Sequence, residues 1–71
     1  MKLHYYPDTD SLYIELRAGP GSEAREVARG LVADLDETGR VVGLDIDRAS
    51  ETLDLSTLEA TALPFTSLKA A

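Results

Sequence analysis

The sequence predicts an α+β fold: a small antiparallel sheet of about four strands in two consecutive hairpins, with one short C-terminal helix. Three observations predict it. Two apolar runs, 31–35 and 41–46, flank a turn sequence at 36–40. Residues 11–16 alternate between polar and apolar side chains, as a strand with one buried face does. The sequence Ser-Thr-Leu-Glu at 56–59 matches a helix capping box.

The first hairpin is predicted from two short strands and a turn. Lys2–Tyr6 is rich in aromatic residues, and the strand is expected to stop at the Pro7–Asp10 turn. In the second strand, Ser11–Leu16, one face is expected to carry Leu12, Ile14 and Leu16.

The central hairpin has two possible registers around its Asp36–Arg40 turn. A turn closed by a Gly bulge pairs Asp34 with Val42 and leaves apolar residues on both faces. A loop one residue longer pairs Ala33 with Leu44 and separates an apolar face from an acidic one. That acidic face would hold Asp34, Asp36 and Asp45. Turn chemistry favours the first register and binary patterning the second, and we favour the first.

The remaining segments are assigned from shorter signals. Arg17–Ser22 is predicted to be a loop because of its Gly and Pro content. Glu23–Ala28 is readable as a helical turn or a strand entry, and we favour an extended segment that leads into the central hairpin. A helix from about Thr57 to Leu63 is predicted to end at Pro64, with a separate turn at Arg48–Leu53. Apolar residues of the tail, Phe65 and Leu68, are expected to be buried.

Length and charge limit the classes of function. The chain of 71 residues is expected to form one domain, 1–71, and its net charge of −6 disfavours binding to nucleic acid or to an anionic membrane. A basic protein partner is permitted. No apolar run is long enough to span a membrane, and the N-terminus does not begin a signal peptide, so we expect a cytoplasmic protein.

Four aspartates could carry chemistry. Asp34, Asp36, Asp45 and Asp47 form two Asp-x-Asp pairs on neighbouring predicted strands. They could hold Mg²⁺ or Ca²⁺, or they could be a solvated face with turn and cap residues. His4 is the one histidine and there is no cysteine, so we expect no catalytic residues, no cofactor and no enzyme.

Several spaced segments resemble a known family. Tyr6–Ile14, Arg25–Val27, Gly30–Asp34, Asp36–Leu44 and Ala49–Ser50 are similar, in order and spacing, to small bacterial proteins of the domain of unknown function 2283 family. The resemblance covers about residues 3–53, and the tail 54–71 lies outside it. Tyr6 stands where the family usually has Asp. The resemblance implies no activity, ligand or catalytic residue.

Two functions follow as hypotheses. The first is a non-enzymatic interaction module, such as the acidic partner of a basic toxin; the alternative is a metal- or small-ligand-binding domain using the four aspartates. We also expect a two-fold homodimer, because a chain this small buries a limited core and the favoured register exposes a second apolar face. Edge strands offer a second route to a dimer, since two sheets could join edge to edge. The predicted interface consists of Leu31, Leu35, Val41 and Tyr13.

Overall fold

The computed structural model describes residues 1–64, 67 and 69. Its regular elements are β1 (Lys2–Tyr6), β2 (Ser11–Glu15), β3 (Glu23–Ala28), β4 (Leu31–Leu35), β5 (Val41–Ile46) and α1 (Ala49–Thr52). The strands form one antiparallel sheet in the order β1-β2-β5-β4-β3. The predicted α+β class with an antiparallel sheet is confirmed, but five strands are present rather than about four.

The additional strand is β3, which we expected only as an extended segment leading into the central hairpin. It pairs along β4, with Glu23 opposite Leu35 and Ala28 opposite Leu31. Gly30 makes the tight connection possible, because its φ of 76° lies in the left-handed region that glycine adopts without strain. The architecture is therefore a β1–β2 hairpin joined through β2–β5 pairing to a β3–β4–β5 meander.

The turn between β4 and β5 follows the predicted turn chemistry. The Asp36 amide donates to the Arg40 carbonyl at 2.9 Å, and the Gly39 amide donates to the Asp36 carbonyl at 3.0 Å. Gly39 has a φ of 86°, as a Gly-bulge turn requires. Leu35 pairs with Val41, so the first register is correct beside the turn.

The body of the same hairpin has the other register. Asp34 pairs with Gly43, and Ala33 pairs with Leu44. Val42 is the additional residue of a bulge that shifts the pairing by one. The register that we favoured is therefore wrong beyond the turn, because a one-residue shift is needed to bring the apolar residues of both strands onto one face.

The sheet has an apolar face and an acidic face, since directly opposed residues of antiparallel strands share a face. The central strands β2, β5 and β4 present on the apolar face Leu12, Ile14, Leu44, Ile46, Leu31, Ala33 and Leu35. The same strands present on the acidic face Tyr13, Glu15, Gly43, Asp45, Val32 and Asp34.

The helix α1 covers one end of the apolar face. Ala49 is completely buried and forms a cluster with Leu12 and Ile46. Leu31 and Leu53 pack against the same cluster. The predicted turn at Arg48–Leu53 is therefore confirmed, and it contains the helical segment of the structure.

The helix that we predicted from Thr57 to Leu63 is wrong: these residues have no regular secondary structure and are exposed. Asp54 accepts a hydrogen bond from the Ser56 amide at 3.0 Å, and Ala62 has a left-handed φ of 56°. A helix of two turns with no packed face is not stable by itself, so the local capping signature is insufficient. Phe65 and Leu68 lie outside the described residues. Within the described part of the chain, no helix is long and apolar enough to cross a membrane.

Candidate functional site

The acidic face is the candidate site, and strand pairing assembles it. Tyr13 lies opposite Asp45, and Glu15 lies opposite Gly43. On the other side of β5, Asp34 of β4 also lies opposite Gly43. Carboxylates from β2, β5 and β4 therefore share one face of the sheet with Tyr13, although each belongs to a different strand.

Tyr13 crosses this face diagonally and bonds to Asp34. Its hydroxyl donates to Asp34 Oδ2 at 2.9 Å. The ring passes directly over Gly43: a Cβ at that position would overlap Tyr13 Oη and lie 2.6 Å from Cζ. The hydrogen bond to Asp34 and partial desolvation raise the pKa of Tyr13, so its hydroxyl stays protonated. Gly43 is therefore the residue that allows the tyrosine to reach Asp34.

Asp45 shows that the negative charges on this face repel one another. Desolvation, followed by the nearby charges of Asp47 and Asp34, raises the pKa of the Asp45 carboxyl. The salt bridges in the described residues lie elsewhere, between Arg25 and Glu23 at 2.6 Å and between Arg48 and Glu51 at 3.9 Å. Lys2 lies opposite Glu15 on this face, but none of the salt bridges in the described residues involves Asp34 or Asp45.

The β2–β3 loop passes over one end of the acidic face. A Cβ at Gly21 would lie 3.4 Å from Asp34 Cβ and 3.8 Å from Val42 Cγ2, so the loop backbone approaches both side chains closely. The Ser22 amide donates to the Leu35 carbonyl at 2.7 Å and anchors the loop to β4. A depression that is wide open to solvent lies between this loop and Asp34. Such an open surface suits contact with another macromolecule better than enclosure of a small ligand.

The four aspartates proposed as metal ligands serve different purposes. Asp36 holds the β4–β5 turn: its Oδ1 accepts from the Thr38 amide at 2.9 Å, the Thr38 hydroxyl at 2.7 Å and the Arg40 amide at 3.0 Å. These bonds, led by that of the Thr38 hydroxyl, lower the pKa of Asp36. Asp47 stands beside the β3–β4 turn, where its amide donates to the Gly30 carbonyl at 2.8 Å. Over residues 1–64, 67 and 69, no three His, Cys, Asp or Glu residues are grouped to hold a metal.

The residues predicted to form a dimer interface do not lie on one patch. Leu31 packs against the Leu12–Ile46–Ala49 cluster, and Leu35 is buried. Val41 is exposed beside the turn, whereas Tyr13 lies on the acidic face. The register shift explains this placement. It brings Leu31 and Leu35 onto the same face as Leu44 and Ile46, whereas the register that we favoured would have placed them on the opposite face of the sheet.

A carboxylate that the sequence analysis assigned only to a turn connects two distant elements. Asp10 accepts the Ser50 hydroxyl at 2.6 Å on Oδ2 and the Ser50 amide at 3.1 Å on Oδ1. The Tyr5 hydroxyl donates to Oδ1 at 2.7 Å. The bonds from Ser50 and then Tyr5 lower the pKa of Asp10. The Asp10 carboxylate therefore caps α1 from 40 residues away, because the residue before the helix, Arg48, provides no side-chain cap.

The fold and its two faces define the class: a small protein built on one antiparallel sheet, with a helical turn on its apolar face and an open acidic surface opposite. The chain belongs to the family described as protein of unknown function (DUF2283), whose model matches residues 2–50. The match spans all five strands and the first residues of α1, and the resemblance predicted from the sequence is confirmed. No curated protein and no solved structure matches the chain.

Proposed function

We propose that this protein is a non-enzymatic interaction module whose acidic face binds a basic protein, for example a toxin that it neutralises. The observation that carries the proposal is the group of carboxylates from β2, β5 and β4 that share one face, where Asp34 and Asp45 take part in none of the described salt bridges. Desolvation, followed by the charges of Asp47 and Asp34, raises the pKa of Asp45.

A basic partner would relieve this repulsion. Lysine or arginine side chains placed between Asp34 and Asp45 would gain attraction from both carboxylates at once. The Tyr13 ring crosses β5 from β2 to reach Asp34, and it would offer its face to a guanidinium group, a contact worth about 0.5–1 kcal/mol at exposed sites. The net charge of −6 would also accelerate encounter with a positively charged protein.

The absence of catalytic activity belongs to the same proposal. Tyr13 and Asp34 are bonded to each other at 2.9 Å, which holds the tyrosine hydroxyl as a donor to a carboxylate. The depression beside Asp34 is open, and so is a second one between the β2–β3 loop and the β4–β5 turn, whereas most enzymes bind small substrates in enclosed clefts.

The test is affinity capture from a lysate of the source organism with two charge-matched double variants. Asp34→Asn with Asp45→Asn removes two charges from the acidic face and keeps an oxygen for the Tyr13 bond. Glu37→Gln with Glu59→Gln removes two charges from exposed positions elsewhere. We expect a basic protein to be captured by the unmodified chain and by the second variant, and to be lost with the first.

Capture of no basic protein, or equal capture by both variants, would contradict the proposal. The metal alternative has its own measurement in the same protein. If Mg²⁺ or Ca²⁺ at millimolar concentration shifts the amide signals of Asp34, Asp36, Asp45 and Asp47, cation binding becomes the better explanation of the acidic face.

A further inference from the structure

The two edges of the sheet differ in how they are protected. At one edge, β3 carries a bulge between Glu26 and Ala28. It also carries charged side chains, with Arg25 and Glu23 already joined by a salt bridge of 2.6 Å. Bulges and charges are the devices by which natural sheets prevent an edge from pairing with another strand.

The opposite edge has fewer of these devices, and its one formally charged side chain is Lys2. β1 pairs with β2 over all five of its residues without a bulge. It is the one strand of the sheet that contains no acidic residue, although the chain carries a net charge of −6. Every residue of β1 is exposed, including Leu3, of which about half is accessible at 49%. Its outer side is thus a regular strand edge without acidic side chains.

We propose that β1 pairs antiparallel with β1 of a second copy about a two-fold axis through His4, which joins two sheets into one of ten strands. Charge favours a second copy of this chain as the partner of the β1 edge, because β1 of that copy also has no acidic side chain. Pairing between like edges also closes the assembly, whereas pairing of β1 with β3 would continue from chain to chain.

The two faces of the sheet determine the register. Leu3 and Tyr5 lie on the apolar face, opposite Ile14 and Leu12. Pairing Leu3 with Tyr5 of the second copy keeps both apolar faces on the same side, whereas a shift by one residue would place Leu3 beside His4. Only the register centred on His4 does this and also pairs all five residues of the strand.

Side chains on the acidic face fit the same register. Lys2 would face Tyr6 of the second copy, which places an ammonium group beside an aromatic ring. His4 would face its own copy, and its ring already contacts Tyr6 of its own strand at a centroid distance of 4.3 Å. No pair of carboxylates meets at the junction. Because the shared strand is short, we expect a concentration-dependent dimer of the weak class.

Cysteine cross-linking tests the register directly, because the chain contains no cysteine. His4→Cys places two thiols opposite each other at the axis, within the Cα separation of about 4.5–5.5 Å that a disulfide accepts. Lys2→Cys is the matched control, since the two copies of residue 2 would lie about 14 Å apart along the strands. We expect mild oxidation to link the first variant and not the second.

A charge exchange at the same position tests association by sedimentation velocity. His4→Glu and His4→Lys each place like charges at the axis, so each should be monomeric where the unmodified protein dimerises. An equal mixture of the two should recover the dimer. Glu26→Lys, on the β3 edge, should leave association unchanged. The proposal is overturned if the unmodified protein remains monomeric at high concentration, if Lys2→Cys links as readily as His4→Cys, or if the mixture stays monomeric.

Discussion

At the residue scale, the Tyr13 side chain requires a glycine at position 43. The tyrosine spans from β2 across β5 to reach Asp34 on β4, at 2.9 Å. It can do so only because position 43 has no Cβ, which would overlap the tyrosine hydroxyl. The need for glycine here arises from a neighbour and not from the backbone, since Gly43 has no positive φ.

Gly43→Ala is therefore expected to be destabilising only while the tyrosine is present. In the unmodified chain the Ala methyl should displace the ring and cost about 1–3 kcal/mol, as overpacking usually does. In a Tyr13→Ala background the same change should be neutral or slightly stabilising, because alanine restricts the unfolded chain. Urea unfolding of the four proteins gives the coupling energy. Equal effects in both backgrounds would show that the ring does not govern position 43.

At the scale of elements, a single residue, Asp10, connects the β1–β2 turn to α1. The helix has only four residues, so it depends on contacts from outside itself. Asp10 provides them: its backbone carbonyl accepts the Ala49 amide at 2.8 Å, and its side chain binds Ser50. Ala49 is the residue that these bonds hold in the core.

Asp10→Asn should lower the urea midpoint at neutral pH, because a neutral side chain is a weaker cap for the α1 amide. The pKa of Asp10 is lowered in the folded state, so its carboxylate stabilises the fold above the ordinary Asp pKa of about 3.9. That contribution is lost as the pH falls through the lower folded value. The difference between variant and unmodified protein should therefore shrink on acidification. Asp8→Asn, in the same turn, is the charge-matched control and should have little effect.

At the scale of the whole molecule, the chain separates its charge from its core by using opposite faces of one sheet. The apolar face is closed at one end by α1, and the acidic face gathers carboxylates from three strands. As a result, carboxylates repel one another in the folded protein. Desolvation and then the charges of Asp47 and Asp34 raise the pKa of Asp45.

Asp45→Asn should consequently stabilise the protein at neutral pH. A raised pKa means that the folded state favours the protonated form of Asp45. The charged form therefore lowers the free energy of unfolding fully at a pH above the pKa of the folded state, and not at all below the pKa of the unfolded state. The gain should therefore disappear near pH 3. Thermal unfolding at pH 7 and pH 3 measures it, with Glu37→Gln as the exposed control. A gain that persists at low pH would assign it to packing rather than charge.

The sequence by itself determined the local elements. The runs at 31–35 and 41–46, the Gly39 turn and the family all follow from short patterns, and the structure has β1, β4 and β5 at the predicted positions. These features depend on residues close together in the sequence: the alternation of polar and apolar side chains, a proline that ends a strand and a glycine that adopts a positive φ. A local pattern is sufficient wherever the interaction that decides the structure is itself local.

Only the tertiary structure decided how these elements combine. The bulge at Val42 allows the pairing that the Gly39 turn requires beside the turn and the pairing that places apolar residues on one face beyond it, which no single register could do. The capping sequence at 56–59 failed because its helix has no packed face, whereas the turn before Leu53 succeeded because Ala49 is buried. The Asp10–Ser50 bond and the group of Tyr13, Asp34 and Asp45 depend on β2 pairing with β5, whose paired residues, from Glu15–Gly43 to Leu12–Ile46, lie 28 to 34 positions apart along the chain. Such contacts form because burial of the apolar face is gained collectively, so no short stretch of sequence encodes them.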